Sequence, residues 1–161
     1  MSIRLSFAAV AAAVVLSATA AEAACNIPAN SGAMQSELLD KLNAERAKRG
    51  LVALRLNPAL DKAAQGHACD NAARQSISHV SSDGSQLQNR LRRAGYAYRT
   101  AAENTGRGFA SGSRAVQWWM NSPHHKHNML IGQMRDIGVG IAMSAAPDSR
   151  LHWIIVVGKS K

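Results

Sequence analysis

The chain is poor in acidic residues, aromatics and cysteine. Ten Asp and Glu stand against 19 Lys and Arg, a formal net charge of +9 at pH 7. That excess favours anionic surroundings such as phospholipid head groups, wall polymers or nucleic acid, without selecting among them. Aromatic residues are only 4% of the sequence, and no nucleic-acid-binding motif accompanies the basic ones. No nucleic-acid partner is therefore expected. The two cysteines, Cys25 and Cys69, sit in no Cys-x-x-Cys or Cys/His pair of ligand spacing, which argues against a zinc site built on them. There is no Gly-x-Ser-x-Gly elbow, and Ser78 beside His79 is no catalytic pair, because neighbouring residues point apart. An internal repeat and a second domain are also lacking.

One long apolar run is present. Arg4, the run Leu5 to Leu16 and the small-x-small site Ala21-Glu22-Ala23 read as a secretory signal over residues 1–23, with the mature chain starting at Ala24. The run is shorter than the roughly 20 residues of a membrane-spanning helix, and none follows it. Glu22, three residues before Cys25, argues against a lipoprotein. The expectation is a soluble exported protein, periplasmic or secreted. An even cysteine count in an exported chain predicts a Cys25–Cys69 disulfide, worth roughly 3 to 4 kcal/mol in the chain-entropy model.

Residues 24–33 read as an extended segment and the rest as one domain. A first helix over Ala33 to Arg49 buries Met34, Leu38, Leu42 and Ala47. Glu37–Lys41 and Glu45–Arg49 form charge pairs four apart, and Gly50 stops the helix. Asn57 and Pro58 cap a second helix to about Gln75, lined by Ala63, Ala64, Ala68, Ala72 and Ala73, with His67 a partly buried structural histidine. A third helix spans Gln86 to Ala94 and ends at Gly95, using Leu87 and Leu91 as its apolar contacts. Arg90, Arg92, Arg93 and Arg99 around it read as a solvated basic face. Tyr96 to Thr105 is extended and delivers Glu103. Gly106 and Gly108 turn the chain, and Ser111 or Ser113 caps a fourth helix that Pro123 ends. Ile137, Val139, Ile141 and Met143 alternate with Gly138, Gly140 and Ala142, giving a strand with one bulky and one smooth face. Leu151 to Gly158 is a strand buried on both faces. Helices first and strands last predict an α+β fold, an antiparallel sheet covered by helices on both sides.

Glu103 to Leu130 holds the densest chemistry: adjacent Trp118 and Trp119, the stop Ser122-Pro123, and His124, His125 and His127. The two indoles cannot share a helix face, and Trp119, in the stripe of Ala115 and Val116, is the one expected to be buried. Neighbouring His124 and His125 point about 100 degrees apart on a helix, so a local metal clip is disfavoured. His125 is assigned inward and His127 to solvent. His79, Glu103 and His125 brought together could hold zinc with an open position for water, or work as an acid/base pair. The alternative is that the histidines are surface residues and Glu103 fixes its own strand.

The motifs Leu42-Asn43-Ala44-Glu45-Arg46, Asn57-Pro58-Ala59-Leu60, Ser78-His79 with Asp83-Gly84-Ser85, Ala102-Glu103-Asn104, Trp119-Met120-Asn121-Ser122-Pro123 with His125 and Asn128, and Ile137-Gly138-Val139-Gly140 occur in this order. The chain so resembles a bacterial member of the CAP superfamily, the cysteine-rich secretory, antigen 5 and pathogenesis-related proteins, also called SCP domains. The resemblance implies a CAP domain over residues 34–161 and a three-layer α-β-α sandwich with a central, mostly antiparallel sheet. It implies a cleft of two histidines and two glutamates that binds a divalent metal in some members. The cleft positions fall on His79, Glu103, Gln117 and His125; Gln117 stands where the family has its second glutamate, which removes a negative charge and weakens any metal site. Its implied functions are three. The first is an exported binding module for an envelope or extracellular ligand, lipid or anionic polymer, with zinc as a potential cofactor at His79 and His125 near Glu103. The second is a metal-dependent, peptidase-like hydrolase using His79, Glu103 and His125. The third is a structural, signalling or defence protein with no chemistry in the cleft.

Overall fold

The computed structural model describes residues 25–147 and 150–161; the signal expected at 1–23, the expected first mature residue Ala24, and Asp148 and Ser149 lie outside the described residues. In chain order the elements are α1 (Ser31–Ala47), β1 (Arg55–Leu56), α2 (Pro58–Ala73), α3 (Leu87–Ala94), β2 (Tyr98–Arg107), α4 (Gly112–Met120), α5 (Pro123–Met129), β3 (Asp136–Met143) and β4 (Leu151–Ser160). They form one sheet of order β1-β3-β4-β2, antiparallel except where β1 runs parallel to β3.

The continuously apolar β4 lies inside the sheet and is covered on both faces, as its composition requires. Trp153, Ile155 and Val157 join Ile137, Val139 and Ile141 of β3 against α1, α4 and α5. Ile154 and Val156 face α2 and α3 through Ala63, Ala64, Ala68, Ala72 and Leu91. The result is a three-layer α-β-α sandwich.

The smooth face of β3 decides how near α2 comes. A Cβ on Gly138 would overlap the Leu60 carbonyl, and one on Gly140 the Ala64 carbonyl, so the helix backbone rests on the strand backbone. Asn57 starts α2 by accepting from the Ala59 and Leu60 amides, as expected. Past its short pairing with β1, the outer edge of β3 is closed by side chains. Asp61 accepts from Val139 N–H, Gln35 donates to the Val139 carbonyl, and Gln65 both accepts from and donates to Ile141. The Asn26 carbonyl accepts from Met143 N–H, and the Cys25–Cys69 disulfide holds that segment, its Cα atoms 5.3 Å apart.

Several local expectations change. α1 begins at Ser31, inside the segment expected to be extended. Ala47 is exposed and Arg46 is buried in its place. The Arg46 guanidinium donates to the carbonyls of Val52, Met129, Ile131 and Met134, and this set of acceptors makes its burial tolerable. Glu37 does not pair with Lys41. It accepts from the Ser113 amide, at the positive end of α4, because Gly112 packs directly on the α1 backbone at Leu38. Ala73 is exposed, since α2 leaves the sheet there. Gly106 belongs to β2 under the Phe109 ring, and Gly108 alone takes the left-handed turn conformation. Ser111, not Ser113, caps α4.

Candidate functional site

β2 is an edge strand, and its alternation sends successive side chains to opposite faces. Glu103 and Thr105 point toward the loop after α2, where Thr105 donates to the Ile77 carbonyl. Asn104 points toward α5 and donates to the His125 carbonyl; Asn128 donates to Asn104 and to the Glu103 carbonyl. The outer edge of β2 is thereby covered, Trp119 Nε1–H taking the Thr105 carbonyl. His79 lies on one side of this strand and α4–α5 on the other, the expected walls of the cleft.

The carboxylate of Glu103 is buried and both its oxygens are engaged. Oε2 accepts from the Arg90 guanidinium at 2.6 Å, and Oε1 accepts from His79 Nδ1–H at 2.9 Å. His67 Nε2 is 3.8 Å from Oε1, but that nitrogen donates to the Ser78 carbonyl at 2.8 Å, while Nδ1 accepts from the Ser81 hydroxyl at 3.0 Å. Burial holds the His67 pKa below its ordinary value, outweighing the upward pull of Glu103, so the ring is neutral within the cluster. Arg90 also donates to the His79 and Ser85 carbonyls, fixing the loop that carries His79.

On the other wall His125 is half-buried and its Nδ1 shares a 2.8 Å hydrogen bond with the Ser122 hydroxyl at the start of α5. Burial lowers its pKa, and the charges of His79 and His124 act in the same direction. Trp118 lies beside it, ring centroids 5.4 Å apart, and the Phe109 ring is 5.5 Å from Trp118. Trp118 is 51% exposed while Trp119 is fully buried. Phe109, Trp118, Arg114, Gln117 and Asn121 line a groove of about 490 Å³.

Of the residues expected at the site, His79 and Glu103 are in direct contact, and His125, on α5, is near enough for the His79 charge to act on it. Gln117 makes no hydrogen bond to any of the three. It is exposed on α4 and accepts from Arg114 at 3.4 Å, because the buried stripe of that helix is Ala115, Val116 and Trp119. His124 and His127 are exposed. Arg90 corrects the solvated-face reading: Arg92, Arg93 and Arg99 are exposed, but Arg90 is 7% exposed. The signal is its position, three after Leu87 and one before Leu91, on the buried stripe of α3. His67 and Ser81, which brace the cluster, carry no comparable sequence signal.

A zinc centre with three protein ligands does not fit this donor set. Each Glu103 oxygen already accepts a hydrogen bond, from Arg90 or from His79, Gln117 is a neutral amide bonded to Arg114, and no group of three His, Cys, Asp or Glu gathers for a metal among the described residues. What the cleft does offer is two imidazoles with Nδ1 engaged and Nε2 free of hydrogen bonds to the described residues.

The sequence matches the family described as "CAP: Cysteine-rich secretory protein family" over residues 39–158. It is 30% identical over 119 residues to the Bacillus subtilis protein YkwD, covering 74% of this chain and 46% of that protein; the chain thus spans about half of that relative. The fold is similar to an outer surface protein from Borrelia burgdorferi, with TM-score 0.74 and 20% identity over 85% of this chain and 99% of that one. It is also similar to an extracellular protein containing a SCP domain from Bacillus anthracis, with TM-score 0.69 and 27% identity over 80% of this chain and 41% of that one.

Proposed function

The chain belongs to the CAP family, the cysteine-rich secretory proteins, and from that membership we propose that it is an exported binding module whose cleft takes an envelope or extracellular ligand without turning it over. The observation that carries this reading is the state of Glu103. The one carboxylate assigned to the cleft is 7% exposed and held on both oxygens, so it serves to orient His79 rather than to act as base or metal ligand. The cysteines are joined in a disulfide and supply no nucleophile. The surface left to a ligand is His79, His125 and the exposed face of Trp118, an indole that presents apolar area with little rotamer entropy to lose. Relatives named for an outer surface and for an extracellular location support export.

The test is tryptophan fluorescence of the chain titrated with phosphatidylglycerol vesicles and with soluble wall-glycan fragments. A saturable change in emission with one of them, absent in Trp118→Ala and weakened in His79→Ala, is expected. No saturable change with either would reject the reading.

A second reading has one observation in its favour, the two free Nε2 atoms. His79 and His125 alone would hold a divalent ion, with Glu103 fixing the His79 tautomer from behind. Zinc calorimetry beside His79→Ala and His125→Ala separates the two. One ion per chain, lost in both variants, supports the metal; heat unchanged in the variants removes it.

A further inference from the structure

A second concavity of about 360 Å³ opens between α2 and α3, roofed by the loop 81–85. It meets Glu103 only through Arg90 and His67, which line it, and its argument is independent of the cleft.

Its floor includes Gly66, in the interior of α2. Glycine there destabilises a helix relative to alanine, and packing does not explain it: a Cβ at Gly66 would meet nothing within 4 Å. At Gly138 and Gly140 the absence of a side chain admits another backbone; at Gly66, an exposed residue lining the pocket, it leaves open space.

Hydrogen-bond accounting gives the chemistry of that occupant. The acceptors of the pocket are used. Asp70 accepts from the Ser82 amide at 3.0 Å and pairs with Arg74, while Asp83 accepts from the Ser85 amide at 2.8 Å and from Arg93 at 2.7 Å. His67 is satisfied at both nitrogens. The donors are in surplus. Arg90 Nε–H is buried with no partner among the described residues, the Lys62 ammonium has neither ion pair nor hydrogen bond among them, and Arg93 engages Asp83 through one nitrogen only. The lining carries Lys62, Arg90 and Arg93 against Asp70 and Asp83, one positive charge in excess. A ligand completing this site must bring acceptors and negative charge.

We propose that the α2–α3 pocket is a binding site for a compact phosphate-sized anionic group, held by Lys62 and Arg93 over the open floor at Gly66. The group is either a free anion or the head of a phospholipid.

The experiment is an amide-resolved NMR titration of the disulfide-bonded chain with inorganic phosphate at constant ionic strength. Saturable shifts at Gly66, Ser82, Ser85 and Arg93 are expected. Lys62→Ala combined with Arg93→Ala should weaken binding at least tenfold. Gly66→Leu fills the floor without altering charge and improves helix propensity, so it should abolish binding in a protein that stays folded. Absence of saturation at these amides, or binding that survives Gly66→Leu, would overturn the proposal. Sedimentation with phosphatidic acid vesicles distinguishes the sources. Co-sedimentation that free phosphate competes away assigns the head group; phosphate binding with no vesicle binding assigns a free anion.

Discussion

Three side chains surround one carboxylate, and each has a different part. Arg90 neutralises Glu103, His79 is oriented by it, and His67 braces the loop that brings His79 near. A buried carboxylate stripped of its guanidinium keeps the full cost of its desolvation. Arg90→Met is therefore expected to destabilise the fold by roughly 3–5 kcal/mol, and Arg90→Met with Glu103→Leu to recover most of it. Urea denaturation of the two variants is the check; equal losses would mean that the charge pair is not what Arg90 supplies. Sequence alone puts Arg90 on a wet face for a physical reason. Arginine is usually solvated, and only the carboxylate of Glu103 on the next element, β2, makes its burial acceptable.

Contact between α2 and β3 is made by backbone, through three small positions on the strand and an alanine-lined helix. The alternation of bulky and small residues in β3 is readable in the sequence, and so is the alanine lining of α2. Their mutual fit is a tertiary fact. Gly140→Ala would drive a methyl into the Ala64 carbonyl, which cannot swing aside as a side chain would. We expect a loss of about 3 kcal/mol, at the upper end of overpacking costs. Ala64→Gly should not restore it, because the obstacle is the helix main chain. A thermal melt of Gly140→Ala within about 2 °C of the parent, where even 1 kcal/mol should shift it further, would refute the close approach. On the opposite side, Glu37 at the head of α4 and Asn104 with Asn128 between β2 and α5 fix the helices that carry Trp118 and His125.

Across the whole molecule, burial depresses the pKa of His67, His125 and His152 below the ordinary 6.5. The unfolded chain then binds more protons than the folded one once the pH falls below about 6.5, so this part of the stability is complete above that value and is lost on acidification toward the native values. His152 contributes most plainly: it is 1% exposed, and burial outweighs the upward pull of its contact with the Ser76 backbone. The melting temperature should fall between pH 7 and pH 5, and His152→Leu should flatten that fall. A flat profile in the parent would sink the account. The disulfide acts at the same scale. It spans 44 residues of sequence, and reducing it should cost about 3–4 kcal/mol, measured as a shift of the urea midpoint with and without dithiothreitol. No helix of the described residues is long and apolar enough to cross a membrane.

The sequence by itself determined the layers. Periodicity of 3.6 in Met34, Leu38 and Leu42, alternation from Ile137 to Met143, the unbroken apolar run of β4, the caps at Asn57 and Gly95 and the cysteine pair are local signals, and local rules read them. The motif order also marked His79, Glu103 and His125. Tertiary structure alone decided which groups engage Glu103. Whether a buried carboxylate is a free ligand or one half of an ion pair depends on which side chains arrive from α3 and from the loop after α2, and Coulomb energy depends on distance in space, to which spacing along the chain is blind. The same holds for Gln117, whose helix face is set by where α4 packs, and for the pocket at Gly66, which exists only because α3 and the 81–85 loop close over α2.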